Sequence, residues 1–190
     1  MSLLEVQNLT VTFGQSEQPL LAIDDLSFTL APGKIMGLVG ESGCGKSLTS
    51  LAILGLLPKT ATVRQGEILF NGQNLLGLDA ESLRKLRGAE IALIPQDPMT
   101  SLNPVFTVGN QLAEVLVTHK GMGWDEAMHA SADLLDMVRI PNAKERVNNY
   151  PHEFSGGMRQ RVMIAMALSC KPKLLIADEH TFGLDYFGYH

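Results

Sequence analysis

The chain has 190 residues, 45% of them hydrophobic and 18% charged, with 18 glycines and 9 prolines. That composition suits one domain with a buried core and excludes a disordered or collagen-like chain. Fifteen Lys and Arg against twenty Asp and Glu leave a net charge of −5, so no overall basic field draws it to nucleic acid or anionic lipid.

From the N-terminus, residues 3–13 and 22–30 read as strands around a polar, Pro-containing loop from Gly14 to Pro19, with no positively charged leader ahead of them. Ile35 to Val39 is a short continuous apolar run, the signature of a parallel strand covered on both faces. Glu67 to Phe70 followed by Asn71-Gly72 signals a hairpin and, with the earlier strands, an antiparallel sheet. Val108 to Thr118 and Asp125 to Val138 carry apolar residues at three- and four-residue spacing, and Pro141 stops the second helix. Gly157 to Leu168 predicts another helix, and Leu174 to Ala177 a second covered parallel strand. The last residues, with Phe182, Tyr186, Phe187 and Tyr189, follow neither period. The apolar stretches Leu48 to Leu57 and Val162 to Leu168 fall short of the roughly 20 residues that cross a bilayer. Cys44 and Cys170 are the only cysteines, too few for a disulfide framework and without metal-site spacing, as expected of free thiols in a reducing cytosol.

Chemistry concentrates in a few segments. Gly40-Glu41-Ser42-Gly43-Cys44-Gly45-Lys46-Ser47, continuing into Leu48, fills the fixed positions of a P-loop between an apolar strand and an apolar helix. Glycines let backbone N–H groups turn inward around phosphate oxygens, and the helix start adds the positive end of its dipole. In that pattern Lys46 neutralises the β- and γ-phosphates of ATP and the Ser47 hydroxyl ligates Mg²⁺. Leu174-Leu-Ile-Ala-Asp178-Glu179 adds a Walker B pattern, with Asp178 on the Mg²⁺ side and Glu179 placed to polarise the attacking water.

These motifs, in this order, resemble the ATP-binding subunits of ABC transporters. Phe154-Ser155-Gly156-Gly157-Met158 resembles the family's signature, and Ser155 with the Gly156 and Gly157 amides suits an anion site at a helix start. In the family this signature closes over the γ-phosphate bound by a partner subunit. Ile94-Pro95-Gln96-Asp97-Pro98-Met99-Thr100-Ser101-Leu102-Asn103-Pro104 is similar to the Q-loop of the branch that imports di- and oligopeptides, nickel or glutathione. The resemblance implies that Gln96 reaches Mg²⁺ and the attacking water, and that Phe13 stacks on adenine. Tyr150 to Phe154 also resembles that branch, with His152 read as a surface histidine. The methionines of the 157–168 helix read as packing, and Cys44 as a variable loop position.

The resemblance weakens at His180-Thr181-Phe182-Gly183-Leu184-Asp185, where only Asp185 aligns with the family's D-loop. Neither His180 nor His190 matches the family's switch histidine, so the chain reads as a truncated or frame-disrupted product. The expected fold is α/β: a P-loop NTPase (RecA-like) core with an antiparallel β subdomain and a helical subdomain, the C-terminal part of the core sheet missing. One ABC-type ATP-binding domain is expected over residues 1–190, its helical subdomain over about 97–159. The implied function is ATP-driven import of peptides or related solutes, with a non-hydrolysing or nonfunctional remnant as the alternative. Implied partners are transmembrane permease subunits, a homologous ATP-binding subunit in a head-to-tail dimer and, indirectly, a solute-binding protein, at the cytoplasmic face of the plasma (inner) membrane. An ATPase acting on DNA finds no support in a chain with neither a coiled-coil insertion nor a basic patch.

Overall fold

In a computed structural model of the chain, residues 2–14, 19–97 and 101–178 are described. The contacts divide it into two units, Met1–Arg87 and Gly88–His190.

The first unit is built on an antiparallel sheet. β1 (Leu4–Phe13), β2 (Leu20–Leu30), β3 (Ala61–Phe70) and the short β4 (Gln73–Asn74) lie in the order β2-β1-β3-β4. β1 is central because Leu4, Val6, Leu9 and Val11 are all buried. The step of three between Val6 and Leu9 breaks strict alternation. A bulge absorbs it: Val6 pairs with Phe28 and Leu9 with Leu26, so β1 carries one extra residue. Asn8 sits in the bulge at φ 49°. Opposite it is Gly66, where a Cβ would stand 2.6 Å from the Gln7 carbonyl oxygen, so only glycine fits. The expected hairpin joins β3 to β4 through Asn71 and Gly72, both at positive φ (49° and 81°), as a type I′ turn requires.

The α-helices described in this unit are α1 (Lys46–Ile53) and α2 (Ala80–Leu86). The expected strand at Ile35 to Val39 does not form. The segment joins no ladder among the described residues, and Ile35 and Val39 are 93% and 90% exposed. A strand is held by neighbours that accept and donate its backbone hydrogen bonds; apolar composition alone does not provide them.

In the second unit β5 (Ile91–Ile94) runs parallel to β6 (Leu174–Ala177), with Ile91 opposite Leu174 and Ile94 opposite Ala177. β6 is where the sequence placed it, although it is not covered on both faces as expected, since Leu175 and Ala177 are exposed; β5 was not foreseen. Among the described residues the α-helices between them are α3 (Val108–Lys120), α4 (Trp124–Met137), α5 (Ala143–Arg146) and α6 (Gly156–Leu168). α3 ends at Gly121 in the left-handed conformation. α6 is unlike a surface helix, since Val162, Met163, Ile164 and Ala165 are buried in succession. It sits in a core with Ala92 and Ile94 of β5, Leu112 of α3 and Leu135 of α4. Among the described residues no helix is long and apolar enough to cross a membrane.

Candidate nucleotide-binding residues

The phosphate loop lies in the first unit. Gly40, Glu41, Ser42, Gly43 and Cys44 are exposed, and the chain turns back on itself where the Cys44 N–H donates to the Glu41 carbonyl (3.2 Å). Gly43 and Gly45 adopt φ 83° and 95°, values that L side chains resist. Gly45 is also confined in space: a Cβ there would lie 2.8 Å from the Ala22 carbonyl oxygen on β2. The Lys46 ammonium donates to the carbonyls of Gly40 and Glu41, both at 2.8 Å, and so spans the loop from the first turn of α1. Of its three protons, two go to these carbonyls, and the ammonium also reaches Cys44 Sγ at 3.7 Å.

α1 differs from the other described helices at its start. α2, α3 and α6 are capped by the side chains of Asp79, Thr107 and Ser155, while α4 and α5 carry acidic residues in their first turns. α1 begins on Gly45 with no side-chain cap and no acidic residue in its first turn. Its first N–H groups have no intrahelical acceptor, so the loop presents donors and the positive end of a dipole with nothing negative set against them. Ser47 is exposed on that turn and Leu48 is half-buried behind it. Phe13 ends β1, half-buried and paired with Leu20 and Ala61.

The second unit brings two predicted residues together. Asp178 follows β6 directly and its N–H donates to the Ile94 carbonyl (3.1 Å), while Gln96 lies two residues past the end of β5. Parallel pairing of Ile94 with Ala177 therefore sets both at the carboxyl ends of adjacent strands, the usual place for ligands on open α/β sheets. Gln96 is exposed and Asp178 half-buried. Among the described residues no three His, Cys, Asp or Glu side chains cluster. Gln96 and Asp178 offer an amide and a carboxylate oxygen, donors of the kind that suit a hard cation such as Mg²⁺. Glu179, His180 and Asp185 lie outside the described residues.

The signature segment opens α6. Ser155 is its N-cap and accepts the Met158 N–H (3.3 Å). Gly156 and Gly157 are exposed, with open space where a Cβ would stand, and Met158 packs on the core. Two arginines not foreseen in the sequence hold the approach. Arg146 lies 5.6 Å from the centre of the buried Phe154 ring, and Arg159 Nε donates to the Phe154 carbonyl (3.0 Å). His152 is exposed and stacks on Tyr150 at 5.7 Å, as expected of a surface histidine.

Comparison with known proteins places the chain in a family. The sequence model described as ABC transporter matches residues 23–182. An oligopeptide transport ATP-binding protein of Salmonella typhimurium is 55% identical over 183 residues, 96% of this chain and 54% of that protein. A dipeptide transport ATP-binding protein of Escherichia coli is 49% identical over 185 residues, 97% of this chain and 57% of its own. The chain thus spans about half the length of the curated relatives it matches. Among solved structures, the ATP-binding cassette MJ0796, a dimer in a post-hydrolysis state bound to ADP and Pi, has a TM-score of 0.82 at 26% identity, covering 96% of this chain and 76% of that one. An ATP-binding subunit of an ABC transporter has a TM-score of 0.71 at 30% identity, covering 94% and 66%.

Proposed function

Since the chain belongs to the ABC transporter family, we propose that it binds and hydrolyses ATP to power the import of peptides or related small solutes. One observation carries the nucleotide reading: α1 alone among the described helices starts with neither cap nor acidic residue, behind a glycine loop spanned by Lys46. A polyphosphate is the ligand that such a donor-rich end accepts. The peptide branch is supported by the relatives, whose names specify oligopeptide and dipeptide transport, and by the extended Gln96 segment.

In this reading the amides of Gly43, Gly45, Lys46, Ser47 and Leu48 hold the phosphates, with Gly40, Glu41, Ser42 and Cys44 forming the rest of the turn. Lys46 exchanges its carbonyl partners for phosphate oxygens. Phe13 stacks on the base. Ser47, Gln96 and Asp178 are the candidate Mg²⁺ ligands; bound Mg²⁺ supplies charge neutralisation on the phosphate oxygens. Glu179 takes the proton of the attacking water, worth about 10²- to 10⁴-fold in rate. Ser155, Gly156, Gly157 and Met158 meet the nucleotide held by a homologous subunit in a head-to-tail pair. Further partners are permease subunits and, through them, a solute-binding protein. The setting is then the cytoplasmic face of the membrane, peripherally bound. The Pro-rich continuation of the Gln96 segment relays position to the permease, and the helical subdomain spans about 97–159.

The test is phosphate release from Mg-ATP over a range of protein concentrations, for the wild type and for Glu179→Gln. Turnover per molecule is expected to rise with concentration, because each site needs a partner's signature, and Glu179→Gln is expected to fall about 10²-fold or more. A rate independent of concentration would refute the shared site; equal rates for the two proteins would refute hydrolysis by Glu179.

A further inference from the structure

α1 has eight residues, fewer than the 12 or so at which an isolated helix becomes even marginally stable in water. Its direction must therefore be imposed from outside, and its two ends are treated differently. The N-terminus is open. The C-terminus is closed by Gly55 at φ 62°, whose N–H donates to the Ala52 carbonyl (3.0 Å) while the Leu56 N–H donates to the Leu51 carbonyl (2.8 Å). This is a Schellman turn, and it leaves the carbonyls of Leu54 and Gly55 pointing away from the helix. The last turn holds no basic residue to meet them.

Arg87 supplies the missing cation. It caps α2, where its N–H donates to the Leu83 carbonyl (3.0 Å). Its Nε donates to the Leu54 carbonyl at 2.6 Å and its Nη2 to the Gly55 carbonyl at 2.9 Å, from 33 and 32 residues away in sequence. Leu83 of the same helix closes over the turn: a Cβ on Gly55 would lie 2.7 Å from Leu83 Cδ1. A guanidinium holding two carbonyls through separate nitrogens fixes an orientation as well as a distance, which a lysine ammonium does not. Arg84, one turn earlier, is instead engaged with Glu81 on the exposed side of α2.

We propose that Arg87 is a positioning residue for the phosphate loop: its two-pronged grip on the end of α1 sets the direction in which the start of that helix faces the phosphates. The inference rests on the ATP-binding reading above. Eight residues at 1.5 Å each make a rod about 12 Å long, so a tilt of about 5° at the clamped end moves the loop end by about 1 Å. Displacements of that size are enough to change activity by up to about 10²-fold where charged groups must converge. The Arg87 charge also sits at the negative end of the dipole whose positive end receives the phosphates.

The experiment is titration calorimetry of the full chain with Mg-ATP and with Mg-pyrophosphate, well below the unfolding temperature. The proteins compared are the wild type, Arg87→Ala, Arg87→Lys and the control Arg84→Ala. Arg87→Ala is expected to weaken both ligands about tenfold and Arg87→Lys about threefold, with Arg84→Ala unchanged. Equal weakening of ATP and pyrophosphate is the mark of a displaced phosphate loop, which loss of stability alone does not produce in protein that is still folded. Wild-type affinity in Arg87→Ala, or in Arg87→Lys if the alanine variant does not fold, would overturn the proposal. Failure of the wild type to bind Mg-ATP would instead overturn the reading beneath it, and this proposal with it.

Discussion

Three glycines separate the backbone demand of the phosphate loop from its spatial demand. Gly43 is at φ 83° with nothing within 4 Å of a Cβ; Gly45 is at φ 95° with the Ala22 carbonyl oxygen at 2.8 Å and Ile23 Cγ1 at 3.1 Å; Gly156 is not at positive φ and faces open space. Gly43→Ala thus meets only the left-handed backbone penalty, about 1–2 kcal/mol. Gly45→Ala meets that penalty and a contact with backbone that has no side-chain freedom to yield, about 1–2 kcal/mol more by analogy with overpacking. Gly156→Ala, in the first position of α6, restricts the unfolded chain without strain and is expected to stabilise by about 0.4–1 kcal/mol. For a chain of this size each kcal/mol moves the midpoint by about 2–4 °C. Gly45→Ala should therefore melt about 2–8 °C below Gly43→Ala, and Gly156→Ala at or slightly above the wild type. Differential scanning calorimetry of the four proteins without nucleotide reads this order. If Gly43→Ala and Gly45→Ala melt together, α1 is not seated against Ala22 as described. If Gly156→Ala falls with them, left-handed strain is not what sets these glycines apart.

Ser155→Ala should cost about 1 kcal/mol in urea unfolding, because the Met158 N–H loses its acceptor, while Ser155→Asp should restore most of it; equal loss in both variants would show that the hydroxyl does not act as a cap. The Asp79 carboxyl is held below its ordinary range, first by the backbone N–H of Ser82 and then by the Ser82 hydroxyl. A lowered folded pKa contributes stability above the unfolded value, roughly 3.9, which is lost as the pH falls through the folded value. Asp79→Asn, which keeps an acceptor but not the charge, should thus be less stable than the wild type near neutrality and converge with it on acidification. A gap that stays constant from neutral to acid pH would contradict this.

Local features of this fold were legible because a local cause fixes each one. Asn71-Gly72 dictates its turn, the apolar spacing from Val108 and from Ala127 dictates α3 and α4, and Ser155 marks the start of α6. The phosphate loop was equally legible, since its glycines and Lys46 are contiguous and their geometry is a property of one turn. Legibility fails where the cause is distant. The bulge at Asn8 exists because β1 must satisfy β2 and β3 at once. Arg87 meets α1 across more than thirty residues, with no motif to announce it. Gln96 and Asp178 were each found by pattern, yet their adjacency depends on β5, whose four residues Ile91–Ile94 carry no flanking signal strong enough to predict a strand.

The segment from Ile35 to Val39 and the strand β6 make the same point by contrast. Both are short apolar runs without alternation, and both predicted a strand covered on two faces. β6 is a strand because β5 lies alongside in register, and the run from Leu174 exchanges backbone hydrogen bonds with it along its whole length. Ile35 to Val39 has no such neighbour among the described residues, and its side chains stand in solvent. At about 25 cal/mol per Å², the exposed Ile35 and Val39 forgo the stabilisation that their burial would give. An apolar run therefore specifies how much surface needs covering, while the ladder that makes it a strand is specified by the backbone beside it.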